Sequence, residues 1–70
     1  MNLEKWSELT PVEQERYIGK ARKILNRAGI KSHSDFKENP EKVQRQTKKM
    51  DDDTRLMVGV AMIFVLDDMN

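Results

Sequence analysis

Three groups of residues have side chains and spacings that could do chemistry. Ser32, His33, Ser34 and Asp35 place the letters of an acyl-transfer triad in four consecutive positions. Asp51, Asp52 and Asp53 offer three adjacent carboxylates, the oxygen donors that a hard divalent cation takes. Residues 16–49 carry Arg16, Lys20, Arg22, Lys23, Arg27, Lys31, Lys37, Lys42, Arg45, Lys48 and Lys49 against only Asp35, Glu38 and Glu41. A concentration of cations of this kind suits a polyanion or an acidic protein surface.

The first two groups do not survive a physical test. Consecutive side chains diverge, and a triad is recognised by convergence in space. Ser32 to Asp35 therefore reads as a loop histidine among capping residues. A calcium loop alternates its ligands, turns on a glycine and closes with a bidentate glutamate. None of these follows Asp51, and the three aspartates read instead as the start of a helix. Gly19, Gly29 and Gly59 are isolated, so no phosphate-cradling loop is present. The absence of cysteine removes disulfides and thiolate zinc sites, and a single histidine removes a His-rich one. The expectation is a protein without catalysis, metal or cofactor.

The cations follow from position, since the net charge of +1 conceals them. Residues 1–15 hold Glu4, Glu8, Glu13 and Glu15 against Lys5, and residues 51–70 hold five aspartates against Arg55. The chain is thus a basic middle between two acidic ends. Within the middle, Arg16, Lys20, Lys23 and Arg27 recur every three or four residues, on one side of a helix. Lys42, Gln44, Arg45, Lys48 and Lys49 form a second set. Glutamine and arginine are the side chains that read adenine and guanine edges in the major groove. A helix-turn-helix does not fit, however. Leu25 stands where a small residue is expected before Gly29, and Asp35 where an apolar anchor is expected after it.

Stepping from these residues to the elements that hold them, Thr10-Pro11-Val12-Glu13 is a capping box with proline at the first helical position. An apolar stripe of Val12, Tyr17, Ile18, Ala21, Ile24, Leu25 and Ala28 follows, and Gly29-Ile30 supplies a left-handed stop with a fold-back residue. A helix over 11–28 is predicted, with Trp6 and Leu9 packed over its start from a short helix of their own. Residues 31–39 are a connector with Ser32, Ser34 and Asp35 as caps for one short turn and Phe36 as its anchor. Asn39-Pro40-Glu41 repeats the start grammar, with Asn39 as N-cap, for a helix over 40–50 striped thinly by Val43, Thr47 and Met50. A last helix over 54–67 contains Leu56 to Leu66, apolar on every side. Its β-branched residues leave a strand open, but no other segment could pair with one. The fold expected is all-α, a single domain over 1–70 with three to four helices and the apolar C-terminal helix at the centre.

A helix apolar on every face must be covered on every face. The other elements suffice for about two-thirds of it, which leaves a strip for self-association. Met57, Gly59, Val60, Ile63 and Phe64 are the expected homodimer interface, with Gly59 and Ala61 permitting close helix approach. Asp67 and Asp68 oppose the dipole at the same helix's end. The simplest reading is fraying there; the other is a basic partner from this chain's middle or from another protein. The apolar run has eleven residues, Leu56 to Leu66, where a membrane span needs roughly 20. The polar, acidic start resembles no targeting signal, and the cytoplasm is the expected location. The function expected is that of a non-catalytic protein-interaction module: a small inhibitor, adaptor or assembly factor of the size common in phages and mobile elements. The alternative is nucleic-acid binding through residues 16–49.

Overall fold

The computed structural model describes residues 3–69; positions 1, 2 and 70 of the expected domain lie outside it. Five helices follow in order: α1 Leu3–Glu8, α2 Pro11–Ala28, α3 His33–Glu38, α4 Pro40–Thr47 and α5 Asp52–Met69. No strand occurs among the described residues, which settles the 56–66 ambiguity in favour of helix. The all-α class stands: α1 is the short helix expected to carry Trp6, with Leu9 just beyond its end, and the short turn expected in the connector is the helix α3.

The boundaries of α2 are those its sequence dictates. The Thr10 hydroxyl accepts from the Glu13 amide at 3.2 Å, and the Glu13 carboxylate accepts from the Thr10 amide at 3.1 Å. At the other end Gly29 adopts φ 72°, the left-handed region that side chains resist. Its N–H donates to the Asn26 carbonyl at 3.1 Å, and the Ile30 N–H donates to Leu25 at 2.9 Å. This is the paired bonding of a Schellman stop, with Ile30 and Leu25 both buried in the core.

Around the connector, Ser32 caps α3 by accepting from the Asp35 amide at 3.2 Å, while Asp35 accepts from the Lys31 amide at 3.0 Å. Phe36 is partly buried against the core, as anticipated. Asn39 precedes α4 but makes no side-chain cap to it. Its amide instead reaches back to the Asp35 carbonyl at 3.5 Å, so it closes α3. Helix α4 ends at Thr47, three residues short of the expected end. The Thr47 hydroxyl donates within its own turn to Val43 and Gln44, both at 3.3 Å, and the following carbonyls turn away toward Arg55. Helix α5 starts at Asp52, two residues early, because Asp51 rather than Asp53 is its cap and accepts from the Thr54 amide at 3.3 Å. It continues to Met69 and so does not fray at Asp67.

Helix α5 is the centre of the molecule. Met57, Val58, Val60, Ala61, Met62, Val65 and Leu66 are all buried, and α2 is the neighbour that covers most of it. From α2 come Ala21, Ile24, Leu25 and Ala28, and from α4 come Val43 and Thr47. Trp6 of α1 stacks on Phe64 at 5.6 Å between centroids and tilts against Tyr17 at 6.4 Å. Lys5 pairs with Asp53 at 3.4 Å, holding α1 to the start of α5.

Two carboxyls at helix starts make this fold sensitive to acid. Hydrogen bonds from the Thr10 amide and hydroxyl hold Glu13 below its ordinary 4.5. The Thr54 side chain and amide do the same for Asp51, whose ordinary value is 3.8. Each group titrates lower in the folded chain than in the unfolded one. Each therefore contributes stability above its unfolded value, lost as pH falls through the folded value. Melting temperature should be flat from pH 7 to about 5 and fall steeply below about 4.5. Glu13→Gln and Asp51→Asn, which keep cap acceptors but do not titrate, should flatten that fall; an unchanged acid limb in the double variant would refute the assignment.

Candidate interaction surfaces

The described carboxylates and cations of this chain are used differently. Asp51 caps α5, Asp52 pairs with Arg55 at 3.2 Å, Asp53 pairs with Lys5, and Asp67 meets His33 at 2.8 Å. Glu13 closes the capping box of α2 and Asp35 the start of α3. In contrast, Arg16, Lys20, Lys23, Arg27, Lys42, Arg45, Lys48 and Lys49 are all exposed. None of them meets a carboxylate within ion-pair distance among the described residues. Lys20 lies over the Tyr17 ring at 5.9 Å, its one recorded contact.

The structure separates these cations into two groups. Arg16, Lys20, Lys23 and Arg27 fall within about 60° of the circumference of α2, since residues advance 100° each. That strip lies away from Ala21, Ile24, Leu25 and Ala28, which face the core. Gln44 and Arg45 of α4 and Lys48 just after it line one open groove together with Glu41, Thr47 and Arg55 of α5. Lys42 and Lys49 are exposed outside it.

The residue that shapes the groove is Arg55, counted in the sequence only as a charge. Its guanidinium donates to the Thr47 carbonyl at 3.4 Å, to Lys48 at 3.4 Å and to Met50 at 2.8 Å, while it pairs with Asp52. One planar fork thus takes up the carbonyls left over where α4 ends and fixes the elbow into α5. The only sequence signal was position: an arginine in the first turn of a helix, where a cation is disfavoured by the dipole, needs a local reason.

The expected dimer interface is only partly available. Met57 is 5 % exposed and Val60 1 %, because neighbouring helices of the same chain cover them; Met57 is a core residue, and Val60 reaches the surface only as part of a groove wall. Ala61 is fully buried too, so its small size serves packing within the chain. Ile63 and Phe64 remain open at 37 % and 44 %, the latter against Trp6. An apolar groove lined by Leu56, Gly59, Val60 and Ile63, with Asp52 and Arg55 at one end, is what α5 leaves uncovered.

The other candidate chemistry disperses. Ser32 and Asp35 are engaged in capping α3, and the His33 Nε2 faces Asp67 and not a serine. The basic partner of Asp67 therefore lies in this chain's own middle segment. No three His, Asp or Glu side chains converge as metal ligands do among the described residues. No described helix is long and apolar enough to cross a membrane. No protein-family model, curated protein or solved structure matches the chain.

The role of Arg55 gives a measurable consequence. Arg55→Met keeps the apolar stem and removes the fork. With partial exposure taken into account it should cost about 1 kcal/mol, or roughly 4–8 °C in melting temperature. Amide exchange should quicken in α4 and the 48–51 turn, with α2 protected as before. A uniform change across all helices would show that Arg55 is not a local elbow.

Proposed function

We propose that the chain is a non-catalytic protein-interaction module, an inhibitor, adaptor or assembly factor, that binds an acidic protein surface through the exposed cations of α2 and α4. The observation that carries this reading is the unequal use of charge. The aspartates that hold the helices together have partners, whereas Arg16, Lys20, Lys23 and Arg27 of α2, Lys42 and Arg45 of α4, and Lys48 and Lys49 just after it, form no ion pair with a carboxylate among the described residues. Exposed cations that outnumber the carboxylates near them attract an external anion and steer its approach.

A protein partner is favoured over nucleic acid by what lies beside the cations. Glu41 lines the same groove as Arg45 and Lys48, and Asp52 sits at its foot through Arg55. A phosphate backbone is uniformly negative and is repelled by both carboxylates. A protein surface of mixed charge accommodates them. Nucleic-acid binding remains the second reading because Gln44, Arg45 and Lys48 share one exposed groove on a two-turn helix. In either case the protein works in an aqueous compartment, which we take to be the cytoplasm.

Self-association belongs to the same proposal in reduced form. Leu56, Gly59 and Ile63 lie along one side of α5 at spacings of three and four. In an antiparallel crossing near Gly59, Leu56 of each copy meets Ile63 of the other, so a two-fold pair is self-complementary. Light scattering at high micromolar concentration should give twice the chain mass, and Ile63→Asp should give the monomer with its helicity intact. A monomeric wild type rules the assembly out.

Two measurements separate the partner classes. Labelled duplex and single-stranded DNA, titrated at about 50 mM and about 200 mM salt, should show no tight binding at either. Tight binding at the lower salt that collapses at the higher would transfer the function to nucleic acid. Affinity capture from the native host should retain the same protein with and without nuclease, and the Arg45→Glu/Lys48→Glu variant should lose it. Capture unaffected by that double charge reversal overturns the role given to α4.

A further inference from the structure

We infer that the outer face of α2 is the seat of an acidic α-helix, laid antiparallel along Arg16 to Arg27 with its closest approach at Gly19; this rests on the reading of an acidic protein partner.

The starting point is a glycine that the fold does not need. Gly19 stands in the middle of an 18-residue helix, where glycine is the poorest former after proline. Its φ is not positive, since Gly29 is the one positive-φ glycine among the described residues. A Cβ built at Gly19 meets nothing within 4 Å. Neither backbone conformation nor packing within the chain accounts for it. Close approach of another backbone is the remaining use of a missing side chain on a helix surface. The gap is visible as a shallow dent lined by Glu15, Ile18, Gly19 and Arg22.

The residues in line with Gly19 say what approaches. Val12, Arg16, Gly19 and Lys23 lie at i, i+4, i+7 and i+11, one straight row along the helix. Lys20 and Arg27 flank it on one side. The row is cationic from Arg16 onward and apolar at its start, where Val12 is 67 % exposed. A helix lying antiparallel on this row matches it twice. Its N-terminal half meets Lys23 and Arg27, and carboxylates are favoured in that half by the dipole. Its C-terminal end meets Val12 with an apolar side chain. A phosphate chain would gain from a cation at position 19 and has no use for a dent there. A helix has: its small side chain enters the dent, its carboxylates reach Arg16, Lys20 and Lys23 on one side and Arg22 on the other, and it carries no carboxylate opposite Glu15, which lines the dent.

The test uses the full chain and a synthetic alanine-based helical peptide of about the length of α2. The peptide carries Glu at spacings of three and four through its N-terminal two-thirds and one Leu near its C-terminus. A scrambled peptide of identical composition is the control. Fluorescence anisotropy at low salt should show the striped peptide binding about tenfold more tightly than the scrambled one. Gly19→Ala should raise the melting temperature by roughly 5 °C and yet weaken striped-peptide binding at least several-fold. Gly19→Leu should abolish the preference for the stripe. That opposition of stability and binding is one that a glycine with only a local role would not produce. Equal affinity for both peptides, or undiminished binding by Gly19→Ala, overturns the inference while the acidic-partner reading stands. Failure of both peptides to bind overturns it too, and if capture is also unaffected by Arg45→Glu/Lys48→Glu the acidic-partner reading falls with it.

Discussion

Everything in this small fold answers to one constraint: an α5 that is apolar on every side must be removed from water by about fifty other residues. An amphipathic helix needs one neighbour, but this one needs neighbours all round. Helix α2 supplies most of the cover, α4 adds the narrow stripe of Val43 and Thr47, and α1 contributes Trp6 over Phe64. The short helix α1 answers this demand: too short to persist alone, it is held to α5 by Lys5 and Asp53 and lays Trp6 on it, whereas α3 packs on α4 and touches α5 through His33 and Asp67. Since α2 is also amphipathic, covering α5 with its apolar face turns its charged face outward.

The same constraint explains the division of charge. Helix α5 is anchored at its two ends by polar contacts, the Lys5–Asp53 ion pair at the start and the His33–Asp67 hydrogen bond in the last turns. The aspartates therefore cluster in sequence around the apolar run, where they cap, pair and mark its limits. Arg55 joins this group, since its guanidinium binds the end of α4 to the beginning of α5. What is left for the middle segment is to cover α5 with short apolar stripes, and its remaining positions are free to be cationic.

Sequence reasoning succeeded where the signals are local. The capping box at Thr10 and the Gly29-Ile30 stop are each determined by a handful of consecutive residues, and α2 has the bounds they imply. It failed where a distant side chain decides. The spacing of Val43, Thr47 and Met50 is compatible with a helix to 50, but Arg55, eight residues after Thr47, draws the carbonyls out of the helix and ends it at Thr47. The exposed side of α5 was equally hidden. With apolar residues all round, the sequence carries no periodicity to say which face the other helices cover, and Met57, expected at the outer face, is buried in the core. The cationic positions were legible because Lys and Arg are exposed almost wherever they stand. The absence of carboxylate partners around them was not, since it depends on where five distant aspartates end up.

That absence has an energetic consequence beyond recognition. Like charges three and four residues apart on α2 repel one another, each pair weakening the helix by a few tenths of a kcal/mol. Gly19 adds a further propensity cost in the same turns. Salt screens such repulsion over about 8 Å at physiological strength, and an anionic partner removes it at closer range. The helix that covers most of α5 is thus less stable than its length permits, on its outward face. Whatever neutralises that face stabilises α2, and through it the burial of α5, in proportion to its binding free energy. Any binding to that face is thereby coupled to folding, through one helix with two faces.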